Sequence, residues 1–125
     1  MLLRRAQGTT PAMTRGADVR AFRFAQFELN LRTRRLSRKD GHRIELTKGE
    51  FNLLAALLAS PQRVMTRNQL IEATRVYDNE VYDRAIDMLI MRLRRKIEPD
   101  PAQPIYISTL RGVGYLFEPA VQKFY

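Results

Sequence analysis

The sequence has no cysteine and a single histidine among its 125 residues. Without cysteine there is no disulfide scaffold, no thiolate zinc site and no cysteine nucleophile. One histidine leaves no convincing metal centre either. Long apolar runs are also missing: the stretch from Leu53 to Ala59 is far too short to cross a bilayer. The opening Met1-Leu2-Leu3-Arg4-Arg5-Ala6 lacks the extended apolar segment of a secretory signal. The expectation is a soluble cytoplasmic protein with no membrane partner, and the missing cysteines fit a reducing compartment.

What is present is ordinary apolar content and an excess of positive charge. Hydrophobic residues make up 45% of the chain, enough for one small domain with a modest core. The net charge is +9 and the pI about 10.6. Lysine and arginine neutralise phosphates and release counterions, so such a balance points to nucleic acid. The competing explanation is charge that merely keeps a small domain soluble. Where the charge sits decides between them. Residues 1–23 carry +4, residues 32–43 carry +5 and residues 84–96 carry +4, leaving the remainder acidic.

Along the chain, residues 1–21 read as a linker: Gln7 to Ala17 is rich in Gly, Thr and Pro without an apolar period. From Phe22 the apolar residues alternate (Phe22, Phe24, then Phe27, Leu29, Leu31), the period of a strand. Asp40-Gly41 is a hairpin signal, so an antiparallel sheet of three or four strands is expected over 22–46. Two capping boxes follow, Thr47-Lys48-Gly49-Glu50 and Thr66-Arg67-Asn68-Gln69, each opening a helix. A third helix is expected from about Glu80 to Glu98, closed by Glu98-Pro99-Asp100-Pro101. A final hairpin joins Ile105–Leu110 to Tyr115–Phe117 through Arg111-Gly112-Val113-Gly114, and residues 119–125 read as a tail.

The third helix separates into two faces at 100° per residue. Val81, Ala85, Ile86, Leu89, Ile90, Leu93 and Ile97 form the core side. Arg84, Met88, Met91, Arg92 and Arg95 collect opposite, with only Asp87 at the edge. Arginine suits guanine edges and phosphates, and methionine offers an apolar contact such as one to a thymine methyl. The bland alternative is a solvated basic helix with its methionines resting on a neighbouring strand. At the hairpin tip, Arg111 projects, and the Thr109 and Tyr115 hydroxyls lie within reach of phosphates. A glycine-rich nucleotide loop would need a helix after the turn, and a strand follows instead.

Three helices and a hairpin behind a small sheet resemble the winged-helix output domain of OmpR/PhoB-type response regulators. The resemblance covers residues 22–118. It rests on Leu46-Thr47-Lys48-Gly49-Glu50-Phe51, Val81-Tyr82-Asp83-Arg84-Ala85-Ile86-Asp87, Arg92-Leu93-Arg94-Arg95-Lys96 and Thr109-Leu110-Arg111-Gly112-Val113-Gly114-Tyr115. Glu50-Phe51-Asn52-Leu53-Leu54 with Val81-Tyr82-Asp83-Arg84 is similar to the VirG-like members. The implied fold is α+β: a winged helix-turn-helix with an N-terminal antiparallel β-sheet, three helices and a C-terminal β-hairpin wing.

The implied function is sequence-specific binding of double-stranded DNA, not enzymatic and without a cofactor. By resemblance Arg84 holds a phosphate, Arg92 reads bases in the major groove, and Arg94 and Arg95 support it. Arg111 enters the minor groove while Thr109 and Tyr115 clamp the backbone, and Leu110, Gly112 and Gly114 shape the wing. Arg75 stands where many relatives have tryptophan and exchanges a packing contact for a phosphate contact. Met91 replaces a position often basic, and Ala85 and Leu89 are less polar than in many relatives, so no relative's operator preference carries over. Further implied partners are RNA polymerase at Val76-Tyr77-Asp78-Asn79, a second copy on tandem half-sites, and a sensor kinase acting through a receiver. Leu2-Leu3-Arg4-Arg5-Ala6 looks like the last turn of such a receiver.

Other classes are weaker. His42 is a hairpin residue, and Asp83 and Asp87 near a helix N-terminus follow from the dipole. RNA readers stack bases on exposed aromatics, and here the aromatics sit at core-like positions. A membrane helix would carry a broad apolar face beside lysines.

Overall fold

Apolar alternation in the first half of the chain is realised as an antiparallel sheet. The structure is a computed structural model describing residues 19–75 and 85–125. β1 (Ala21–Phe24), β2 (Phe27–Asn30), β3 (Arg35–Arg38) and β4 (Arg43–Ile44) pair in sequence. Their register aligns Phe22, Leu29, Leu36 and Ile44 in one row across the sheet. The first three are fully buried. The Asp40-Gly41 turn forms as expected: Gly41 adopts φ +92° and the His42 N–H donates to Asp40 Oδ1 at 2.9 Å.

Both capping boxes close. Thr47 caps α1 (Lys48–Ala59) and Thr66 caps α2 (Arg67–Thr74), each exchanging hydrogen bonds with the residue three positions on. α1 is buried from Glu50 through Leu58 because it packs against α2, α3 and the wing strand β7. α3 spans Ala85–Ile97, and Ile86, Ile90, Leu93 and Ile97 are buried as the wheel requires, with Leu89 partly so. The expected start of this helix, Glu80 to Arg84, lies outside the described residues. So do the Val76–Asn79 connection and the receiver-like Leu2–Ala6.

The hairpin forms from β6 (Ile107–Leu110) and β7 (Gly114–Phe117). Two short strands were not legible in the sequence. β5 (Val64–Met65) joins α1 to α2 and pairs with β7, making a second sheet ordered β5-β7-β6. β8 (Gln122–Phe124) pairs with β1 and extends the first sheet to five strands, β4-β3-β2-β1-β8.

That strand corrects the reading of 119–125 as a tail. Val121 packs on the core, and Arg23 lies 4.9 Å over the Phe124 ring. The domain also begins before Phe22, since Val19 and Ala21 are buried. The sheets and helices share one continuous core. No helix among the described residues is long and apolar enough to cross a membrane.

Glu50, inside this core, is paired with Lys96 of α3 and accepts the Thr47 N–H. Burial alone would raise its pKa. The Lys96 ammonium and the Thr47 N–H outweigh burial and hold it below its ordinary 4.5. A depressed carboxyl contributes stability that is complete above its unfolded pKa and is lost as pH falls through the folded one. Stability in urea is therefore expected to hold above the ordinary 4.5 of the carboxyl and to decline as pH falls below it. Lys96→Met should lower the plateau and flatten the decline; an equally steep decline would remove this pair as its cause.

Candidate nucleic-acid interface

Once the core is packed, large apolar and cationic side chains stay exposed on α3 and on the wing. Met88 and Met91 are 52% and 53% exposed, so they do not rest on a neighbouring strand. Arg92 and Arg95 are exposed beside them. Neither arginine forms an ion pair or hydrogen bond among the described residues. Two methionines held in water at a cost in apolar hydration, flanked by unneutralised guanidiniums, leave a face with apolar and cationic contacts to offer. Arg84 lies outside the described residues.

The wing tip is a tight turn closed by the Val113 N–H donating to Leu110 O at 2.9 Å, with Gly112 at φ +78°. Arg111 is exposed there with no acidic partner among the described residues, and Val113 is half exposed. Thr109 is exposed as well. Arg75, at the end of α2, pairs with Glu72 at 2.8 Å, so its charge is partly neutralised within the helix.

Two expected DNA ligands have internal duties. Tyr115 is only 5% exposed, and its hydroxyl donates to Asp87, so the hydroxyl expected on a phosphate is engaged within the domain. Burial raises the Tyr115 pKa, and the bond to Asp87 raises it further. Arg94 is half-buried. It donates from Nε and Nη2 to Ile107 O at 3.2 and 2.7 Å, and from Nη2 to Thr109 Oγ1 at 2.7 Å. It therefore ties α3 to β6 instead of projecting to bases or phosphates. The helical wheel gives a side chain's direction, not the strand waiting beside it.

Sequence reasoning also missed Arg67. As the first residue of α2, it donates to Asp87 from Nε at 2.9 Å and Nη2 at 3.2 Å. Its bond, followed by that of Tyr115, holds the Asp87 carboxyl below its ordinary value. The only sequence signal was an arginine directly after a capping threonine, with a lone aspartate one helix later.

The comparisons with known proteins agree with this architecture. Residues 41–117 match the family described as transcriptional regulatory protein, C terminal, a family of transcription regulators and not of enzymes. Regulatory protein VirG of Agrobacterium fabrum is 50% identical over 123 residues, covering 98% of this chain and 49% of that protein. VirG of Agrobacterium tumefaciens strain 15955 is 52% identical over 120 residues, covering 96% and 45%. The chain thus spans about half the length of the curated relatives it matches.

Among solved structures, the Thermotoga maritima response regulator DrrB, an OmpR/PhoB homologue, superposes with TM-score 0.66 at 35% identity, covering 79% of this chain and 44% of that one. The Klebsiella pneumoniae RstA DNA-binding domain, solved with the RstA box, gives TM-score 0.66 at 28% identity, covering 78% and 96%. The chain belongs to the transcriptional regulatory protein C-terminal family, as a winged-helix effector domain of the OmpR/PhoB type with VirG-like sequence.

Proposed function

We propose that this chain binds double-stranded DNA sequence-specifically as the output domain of a two-component transcriptional regulator. The observation that carries the proposal is the outward face of α3, where Met88, Met91, Arg92 and Arg95 stand exposed opposite the buried Ile86, Ile90, Leu93 and Ile97. A helix fits the major groove, where arginine reads guanine and apolar side chains meet thymine methyls. Arg92 and Arg95 are the base-side arginines, and Arg84 and Arg75 meet phosphates. Arg111 enters the adjacent minor groove, with Thr109 beside it at the backbone. The solved RstA domain in complex with its DNA box supports this reading by likeness of fold.

The rest of the expected biology is consistent with a chain spanning half of its VirG relatives. Two copies occupy tandem half-sites, since one helix reads only a few base pairs. Val76–Asn79 faces RNA polymerase, and a sensor kinase acts through a receiver preceding residues 1–21, in the cytoplasm.

Selection of bound duplexes from a random pool tests the proposal and yields the half-site. On the selected duplex, Arg92→Ala is expected to lose about 1–3 kcal/mol of discrimination at particular base pairs. Arg111→Ala should act most on sites with a narrow A·T minor groove. Equal weakening by Arg92→Ala on selected and random duplexes would refute base reading by that residue.

A further inference from the structure

Asp87 is the only acidic residue among the described residues of α3, and its carboxylate joins more elements than any dipole argument requires. It accepts from Arg67 of α2 at 2.9 and 3.2 Å and from the Tyr115 hydroxyl of β7. The Tyr115 ring has the Arg67 guanidinium 5.8 Å away and that of Arg94 5.9 Å away. Arg94 in turn reaches Ile107 O and Thr109 Oγ1 on β6. The carboxylate therefore joins α2, α3 and β7, and Arg94 beside the Tyr115 ring adds β6 to the group.

Stability alone is a poor account of this arrangement. The Arg67–Asp87 pair is open to water, with side chains 50% and 56% exposed, and exposed pairs contribute little. What the pair does change is the disposition of a charge. A free guanidinium at the start of α2, beside the outward face of α3, would be one more phosphate ligand. Phosphate contacts strengthen binding to every duplex alike and carry no sequence information. Tyr115, held by the same carboxylate, fixes β7 against α3, and with it the distance from the helix to the wing-tip Arg111.

We propose that Asp87 is a specificity-determining positioning residue: it keeps Arg67 from the phosphate backbone and locks the wing to the recognition helix through Tyr115. The proposal rests on the DNA-binding reading above. Affinity then depends on contacts that read the duplex and not on an additional sequence-blind cation.

The test compares the selected duplex with a random one across a range of salt concentrations. Asp87→Asn should raise affinity for the random duplex by about tenfold and steepen its salt dependence by roughly one phosphate contact. The selected duplex gains the same phosphate contact but loses the helix-to-wing spacing that Asp87 fixes through Tyr115, so it should change by less than about threefold and the ratio between the two falls. In the Asp87→Asn/Arg67→Gln double variant, random-duplex affinity and salt slope should return to wild-type values. If Asp87→Asn strengthens both duplexes equally, or the double variant keeps the raised affinity, loss of one negative charge explains the effect and the proposal is overturned. Arg67→Gln alone gives an independent check. It should leave the salt slope unchanged, and a slope shallower by one phosphate would show Arg67 already on the backbone. A wild-type chain that prefers no duplex overturns the DNA reading itself, before any variant is compared.

Discussion

Gly114→Ala is expected to unseat the second sheet and lower the melting midpoint by on the order of 15 °C. A Cβ built on Gly114 would lie 2.0 Å from Met65 O, 2.8 Å from Met65 C and 2.9 Å from Thr66 Cα. All three atoms are backbone, so no rotamer change relieves the clash. Either β5 withdraws from β7 or the wing strand bends away from α3. Overpacking usually costs about 1–3 kcal/mol, and a backbone collision that also breaks strand pairing belongs at or above the top of that range. The damage does not stop at the strand. Met65 pairs with Tyr115 and directly precedes Thr66, the cap of α2, so displacing it disturbs the capping box and the placement of Arg67.

The neighbouring glycine provides the contrast. A Cβ on Gly112 meets nothing within 4 Å, and only its φ of +78° opposes a side chain. Gly112→Ala should therefore cost about 1–2 kcal/mol and leave both sheets intact. Urea and thermal melts of the two variants decide the matter. If Gly114→Ala melts within a few degrees of wild type, the close approach of β5 to β7 is wrong.

These two glycines also mark how far the sequence could be read. Arg111-Gly112-Val113-Gly114 announces a turn between β-rich runs, and a turn forms there. That Gly114 is needed for the approach of a remote two-residue strand is invisible, because Val64-Met65 is too short to show alternation and pairs only through context. β8 is hidden for a related reason: Gln122–Phe124 becomes a strand by pairing with β1 from the far end of the chain. Local signals fared better. Both capping boxes name their own partners three residues away, and the core face of α3 follows from helical period alone.

In the interface the division is similar. The wheel identified which way Met88, Met91, Arg92 and Arg95 point, since direction is a property of one helix. It could not show that Arg94 meets Ile107 and Thr109, or that Tyr115 reaches Asp87, because those partners arrive from other elements. Arginines near a basic face are easily credited to DNA when a carbonyl across a sheet has already engaged them.

Glu98→Ala is expected to lower stability by about 3–5 kcal/mol, a second large effect at a residue that the sequence offered only as the end of a helix. Glu98 is 7% exposed and sits just beyond α3, where the helix dipole disfavours a carboxylate. Its partners explain its presence. Oε1 accepts from the N–H groups of Ile105 and Tyr106 at 2.8 and 3.0 Å, and Oε2 from Tyr106 and Ile107 at 3.1 and 2.8 Å. Three successive backbone donors converge on one anion, so the chain entering β6 is moored to the end of α3.

Alanine would leave those donors without their acceptor, the Ile107 N–H in a fully buried position and those of Ile105 and Tyr106 nearer to water. Glu98→Gln separates charge from shape: it keeps one acceptor oxygen but turns an NH2 group toward N–H donors, for an expected loss of about 2 kcal/mol. In both variants amide exchange at Ile105, Tyr106 and Ile107 should accelerate more than exchange in α1, where Leu53–Leu58 remain buried. Because Ile107 O also receives Arg94, loosening this mooring should, on the proposed DNA-binding reading, weaken the effect of Arg111→Ala on binding before that of Arg92→Ala. If Glu98→Gln leaves protection at residues 105–107 unchanged, the carboxylate does not moor the wing, and the spacing between helix and wing must then depend on Arg94 and Asp87 alone.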